Sequence, residues 1–233
     1  MKIIRFNNKS DIDVQFLDSH LYIKEHVQYA AFVKGQVKNP YDKSMCGVGC
    51  IGVGKYKVSE NCVHPQEYNS WKCILKRCYA GGRKEHEKYY KNCTVCEDWL
   101  NYQNFAEWYG HNKYNVNERL HVDKDILIPG NTVYAPDRCL LVPQRINMLF
   151  MSHRPNKFGL PEGIRPAKSN KYEAFYQGKY IGIFSTLQEA FDAHAERKEK
   201  AIKDIAIEYH DILPNEVFLA VANYHVTRWD EHK

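Results

Sequence analysis

Residues 120–150, "LHVDKDILIPGNTVYAPDRCLLVPQRINMLF", constrain the fold of this chain more tightly than any other stretch. A short apolar run ends on an acidic pair that brackets a lysine, Asp123-Lys124-Asp125. A loop rich in turn residues follows, then a second apolar run, then an amphipathic segment carrying Asn147. Short apolar runs divided by Gly, Pro and Asn read as paired strands, and the segment after them as a helix. Alternation along an extended first strand puts His121, Asp123 and Asp125 on one face and Lys124 on the other. That pattern favours a cluster of two carboxylates and an imidazole over a Lys–Asp pair.

The rest of the chain divides by texture into modules at 1–60, 61–152 and 153–233, an α+β organisation of small sheets and helices. Residues 1–58 hold short alternating runs, "IDVQF", "HVQYAAFV" and "GCIGVGKYKV", broken by glycine turns, which predict a small β module. Trp71, Ile74, Leu75 and Cys78 share one helical face, and Trp99, Tyr102, Phe105, Ala106 and Tyr109 another. Both stripes read as core. Further on, "GIRPA", "KYEAFYQG" and "KYIGIFS" predict three strands with a hairpin turn at Gln177-Gly178. A long helix then starts at a Thr186 cap, with Glu189 as its capping-box partner. Leu187, Ala190, Phe191, His194, Ala201, Ile205 and Ile207 are its expected buried side, with His194 a hydrogen-bonded core histidine.

Composition narrows the function classes. The chain has 233 residues, 44% of them hydrophobic, which suffices for a packed core and excludes wholesale disorder. It lacks an apolar run long enough to span a bilayer, and its start, "MKIIRFNNKSDIDVQF", lacks the apolar core of a secretion signal. The expectation is a soluble cytoplasmic protein with no membrane partner. A formal charge of +5 and 17 tyrosines suit a polyanionic partner, though tyrosines also half-bury in sheets. Of the eight cysteines, Cys93 and Cys96 have the spacing of a zinc half-site. No second pair answers them, so a structural zinc and buried thiols both stay open.

The motif "W…RCY…VC..W..F..F" is present as Trp71, Arg77-Cys78-Tyr79, Val95-Cys96, Trp99, Tyr102 and Phe105. With residues 120–150, it resembles the HNH homing-endonuclease family of phages. Residues 160–208, through "YIGIFSTLQEA", resemble the plant APETALA/ethylene-response-factor type of DNA-binding domain. The first segment, with "DIDVQF" and "FVKGQVKNP", resembles a β module at the front of such phage proteins.

These resemblances imply a ββα-metal fold, binding to double-stranded DNA, and hydrolysis of its phosphodiester bonds with Mg²⁺ or Mn²⁺. They make Asp123 the metal ligand and put Lys124 at the histidine base position. Arg138 stands at the place of the loop-pinning Asn, where it joins the basic residues facing DNA, and Asn147 is the helix ligand. Asp125 adds a second carboxylate, and hard cations favour such oxygen donors. Lysine is a poor base at neutral pH unless burial lowers its pKa by about three units. Lys124 therefore has three readings: transition-state stabiliser with His121 or His153 moving the proton, base of depressed pKa, or salt-bridge partner in a silent site. For the C-terminal module the resemblance implies a DNA-facing sheet carrying Arg165, Lys168, Lys171, Tyr172, Tyr176, Lys179 and Tyr180. Arg154 and Lys157 would extend the basic path. The competing class is a catalytically inactive DNA-binding or interaction protein, such as a regulator or an antagonist of host defence.

Overall fold

β1 (Lys2–Asn8) and β2 (Asp11–Gln15) pair antiparallel, and β3 (Ile23–Val27) adds to the other edge of β2 in the computed structural model. The structure describes residues 1–80, 90, 92–150 and 156–227. The chain is a mixed α+β protein of several small sheets. Its contacts gather into two compact units, one of Met1–Lys91 with Val95–Glu107, the other of Asn92–Thr94 with Trp108–Lys233.

In the first unit the central strand carries the apolar load, with Ile12 and Val14 packed on Val27 and Val37. "YAAFV", expected within a strand, is instead the short helix α1 (Tyr29–Val33). β3 runs on past His26, whose φ is 56°, and ends at Val27, and coiling after it lets Ala31 and Phe32 reach the sheet core. "GCIGVGKYKV" is not a strand either. Its backbone groups are satisfied from outside: the Gln103 side chain accepts from Tyr56 N–H at 3.0 Å and donates to the carbonyls of Ile51 and Tyr56. A buried backbone must find partners somewhere, and here a side chain stands in for a neighbouring strand. α2 (Gln66–Tyr79) buries Tyr68, Trp71, Ile74 and Leu75, and the Trp71 indole N–H donates to the Trp99 carbonyl at 2.7 Å. Trp99, Tyr102, Phe105, Ala106 and Tyr109 are all buried, as their spacing predicts. β4 (Thr94–Val95) precedes them, and α3 (Tyr102–Asn112) carries the last four.

In the second unit β5 (Leu120–Asp123) pairs antiparallel with β7 (Leu140–Pro143), matching Leu120 with Pro143 and Asp123 with Leu140. The two-residue β6 (Val133–Tyr134) lies in the loop between them, and the Thr94 N–H donates to the adjoining Thr132 carbonyl. α4 (Gln144–Asn147) follows, extended by a 3₁₀ turn at Met148–Phe150. β8 (Ile164–Pro166), β9 (Tyr172–Tyr176) and β10 (Lys179–Phe184) form an antiparallel sheet with β9 central. Its hairpin turns at Gln177 and Gly178, both at positive φ. α5 (Leu187–Glu208) packs on this sheet, and α6 (Asn215–Ala222) follows. The capping box at Thr186 and Glu189 forms as expected.

One core joins the ribbon to the C-terminal helices. Val142 and Ile146 from the ββα segment meet Ile202 and Ala206 of α5 and Val221 of α6, all essentially without solvent exposure. Each fully buried aliphatic side chain contributes roughly 1.5–3 kcal/mol. Residues on both sides of the expected 152/153 boundary thus share the second unit's interior.

Candidate functional site

Asp123 closes β5 and turns the chain. Its Oδ1 accepts the backbone N–H groups of Asp125 and Ile126, each at 2.8 Å. Those amides therefore leave the strand ladder, and an Asx-type turn replaces extended chain. Both bonds fall on Oδ1, and no hydrogen bond among the described residues falls on Oδ2. The residue is 8% exposed. Burial, reinforced by the Asp125 charge, pushes its carboxyl up to about 6, against the pull of the two amides and Lys124.

Ending the strand at Asp123 overturns the expected alternation. Lys124 and Asp125 are not on opposite faces: the Lys124 ammonium donates to Asp125 Oδ1 at 2.8 Å and to the Asn131 carbonyl at 2.5 Å. The Lys–Asp pair disfavoured by the strand argument is what forms. Burial pulls the Lys124 pKa down, but the charge and hydrogen bond of Asp125, with Cys93 and Asp123, outweigh it, and the net shift is upward. The Lys124–Asp125 contact and the upward shift favour the salt-bridge reading of Lys124 over that of a base of depressed pKa.

The loop between the strands is pinned by a residue the sequence reading passed over. Asn131, 7% exposed, donates to the carbonyls of Lys124 (3.0 Å) and Val133 (2.8 Å) and accepts the Val133 N–H (2.9 Å). Its signal was available in the Gly130-Asn131 turn. Arg138, assigned to the pinning position, is an exposed residue 3.6 Å from Asp137.

Among the remaining candidates, Asn147 sits half-buried on α4, which packs on β5 and β7. It makes no hydrogen bond to Asp123 or Asp125 among the described residues. His121, opposite Val142 on β5, does not join the two carboxylates as a close set of three ligand atoms. Among the described residues that arrangement occurs at Asp11, Asp13 and His26, whose ligand atoms lie within 4.8 Å of one another. There the groups already answer each other: Asp13 pairs with Arg5 at 2.6 Å, and Asp11 with His26 at 2.9 Å and with Asn7. Cys93 is buried, with its thiol pushed up by that burial. Neither Cys93 nor Cys96 gathers two further ligands among the described residues.

A divalent cation suits the Asp123 turn by the chemistry of its donors. Asp123 is a carboxylate whose ionised form is penalised by burial and then by a like charge, and its Oδ2 accepts no hydrogen bond among the described residues. A cation there would remove that penalty. No family model, curated protein or solved structure matches this chain.

The C-terminal sheet has a covered and an open face. Tyr172, Ala174 and Tyr176 share a parity, and Ala174 is fully buried. Tyr172 accordingly packs in the core under the sheet, and Tyr176 meets His194 of α5 with ring centroids 5.8 Å apart. These two expected DNA contacts lie on the covered side. The open face carries Arg165, Glu173, Phe175, Tyr180 and Ile183, placed together by register. The Arg165 guanidinium lies 4.5 Å over the Phe175 ring, and Tyr180 meets that ring edge-on. Lys157, Lys168, Lys171 and Lys179 are exposed in flanking loops and at the hairpin. Arg154 and His153 lie outside the described residues. Glu173 and the apolar Phe175 and Ile183 were missed, although the parity of Ala174 marked them.

Proposed function

We propose that the second unit binds double-stranded DNA and hydrolyses its phosphodiester bonds with Mg²⁺ or Mn²⁺ held by Asp123 and Asp125. The observation that carries this reading is the Asp123 turn, a buried carboxylate with Oδ1 locked by two amides and Oδ2 left open beside a second carboxylate. Asn147, on the helix packed against the same ribbon, is the third oxygen donor in this reading. A bound divalent cation would polarise the phosphoryl group and offset charge developing on it. Lys124 neutralises Asp125 and ties the loop to Asn131. His121, two residues before Asp123, is the histidine suited to move the proton. The open sheet face, with Arg165, Tyr180 and the flanking lysines, supplies phosphate contacts and a stacking surface.

A specific observation favours the second reading, a catalytically silent DNA-binding or interaction protein, such as a regulator or an antagonist of host defence. The Lys124–Asp125 contact already compensates one of the two carboxylates internally. Plasmid nicking separates the two. Supercoiled DNA incubated with Mg²⁺ or Mn²⁺ should be nicked by the wild-type protein, and Asp123→Asn should slow this by roughly 100-fold or more. Binding without nicking in any divalent metal would replace the hydrolytic reading with the silent one.

A further inference from the structure

Positive charge is unevenly spread along this chain. The first unit carries 16 Lys and Arg against 12 Asp and Glu, and the second 17 against 16, so the excess lies in the first. There it gathers in residues 34–59, which hold five lysines and a single carboxylate, Asp42. All five lysines are exposed. Among the described residues Lys57 alone of the five has an ion-pair partner, Glu60 at 3.0 Å. Lys34, Lys38, Lys43 and Lys55 are left unanswered. In the second unit, by contrast, Lys124, Arg145 and Lys198 each meet a carboxylate.

The segment is also held in shape. The Gly52 N–H donates to the Pro40 carbonyl at 2.9 Å, which fastens the stretch carrying Lys38 and Lys43 to the one carrying Lys55 and Lys57. Gly52 and Gly54 press on the start of α3, where a Cβ would fall 2.2 Å from the Asn101 side chain and 2.4 Å from that of Gln103. Gln103 in turn grips the loop at Ile51 and Tyr56. Between those grips the N–H groups of Val53, Gly54 and Lys55 donate to nothing among the described residues, and all three residues are exposed. The first turn of α3 holds no acidic residue, so its dipole adds to the positive potential beside them. Fixed amides next to lysines are the donor set from which phosphate oxygens accept. Within residues 34–59 Val53 is the one exposed large apolar side chain, too little for the apolar centre of a protein interface.

We propose that the loop of residues 52–57, with Lys38 and Lys43, is a further nucleic-acid contact that grips the phosphate backbone of duplex DNA. The inference rests on the DNA-binding part of the function proposed above and puts an anchor in the unit that lacks the proposed hydrolytic site. Contacts to phosphate carry no base information. The first unit therefore adds affinity for any duplex, and neutralising its lysines weakens binding without disturbing the fold.

The test measures duplex binding by the full chain across a salt series, with melting followed alongside. The triple variant Lys38→Gln/Lys43→Gln/Lys55→Gln should melt as wild type does. It should bind roughly 100-fold more weakly at about 0.1 M salt and lower the salt slope by about 3, alike on unrelated sequences. Lys38→Arg/Lys43→Arg/Lys55→Arg should keep wild-type binding. Lys2→Gln/Lys9→Gln/Lys76→Gln removes the same charge from exposed lysines outside residues 34–59 and should lose far less. Equal losses in the two Gln triples would mean that net charge alone sets affinity and would overturn the proposal. An unchanged slope in the first triple would overturn it as well; if Lys171→Ala with Lys179→Ala still lowers the slope, DNA binding by the second unit stands. If the first triple loses affinity for phosphatidylserine vesicles but keeps it for the duplex, the loop belongs to a membrane surface and the proposal falls. Absence of duplex binding by the wild type would remove both readings.

Discussion

At the scale of single residues, Asp123 decides most of the site's behaviour, because its environment works against its charge. Burial, with the Asp125 charge, pushes its carboxyl up to about 6 from an ordinary value of 3.8. Protonation is thus favoured by folding. The stabilising contribution is complete below about 3.8 and is lost as pH rises through about 6. At roughly 1.4 kcal/mol per pKa unit, the upper limit is about 3 kcal/mol. Asp123→Asn keeps an oxygen for both amides and cannot ionise. In urea titrations with EDTA, its stability relative to wild type should therefore climb between pH 4 and 7. Parallel pH profiles would show that Asp123 titrates as an ordinary carboxylate. Cation affinity should rise over the same interval, since only the ionised form recruits the metal. Asp123 and Asn147 could be picked out in the sequence because their types and spacing carry chemistry. Asn131 was marked only by the Gly130-Asn131 turn, because it acts through backbone bonds across a loop rather than by a pattern that carries chemistry.

At the scale of elements, the C-terminal sheet and its helix show where local rules hold and where packing intervenes. Gly163 and Gly178 both lie in the left-handed region, at φ +75° and +78°. A Cβ at Gly178 meets open space, whereas one at Gly163 would fall on the His194 ring and the Phe175 carbonyl. His194 Nδ1–H also donates to that carbonyl at 2.7 Å, which fixes the ring. Gly178→Ala should cost about 1–2 kcal/mol, the usual left-handed penalty. Gly163→Ala should cost clearly more, with His194 displaced. Equal losses in denaturant unfolding would mean that the sheet–helix contact is not tight there. The hairpin, the helix start and the Trp and Tyr stripes were legible, since each depends on residues a few positions apart. The buried side of α5 was read correctly at Ala190, Phe191, His194 and Ile205. It misses Ala195, Lys198, Ile202 and Ala206, while Ile207 is exposed. The face drifts along a helix of 22 residues because i+4 steps do not close a turn. Lys198 is buried because Glu162 meets it at 3.1 Å, a partner 36 positions away.

At the scale of the whole molecule, a formal charge of +5 gives only a modest general attraction for nucleic acid. The second unit's part in the proposed DNA interaction must come from local placement of the lysines around the open sheet face. The double variant Lys171→Ala with Lys179→Ala should weaken binding similarly across DNA sequences and lower the salt slope by about 2. An unchanged slope would remove those lysines from the interface. Among the described residues, no helix is long and apolar enough to cross a membrane. The sequence by itself determined the α+β character, the strand–loop–strand–helix order of residues 120–150, the C-terminal hairpin and the capped helix. Those features depend on periodicity, turn chemistry and caps, which act over short separations. Tertiary structure decided that Lys124 reaches across the loop to the Asn131 carbonyl, and that Tyr172 and Tyr176 are covered. It also decided that the tail brings Tyr224 into the core that contains Ile126, against Phe150. Those outcomes depend on which distant groups share a buried volume, where each polar atom must find a partner or carry the cost of lacking one.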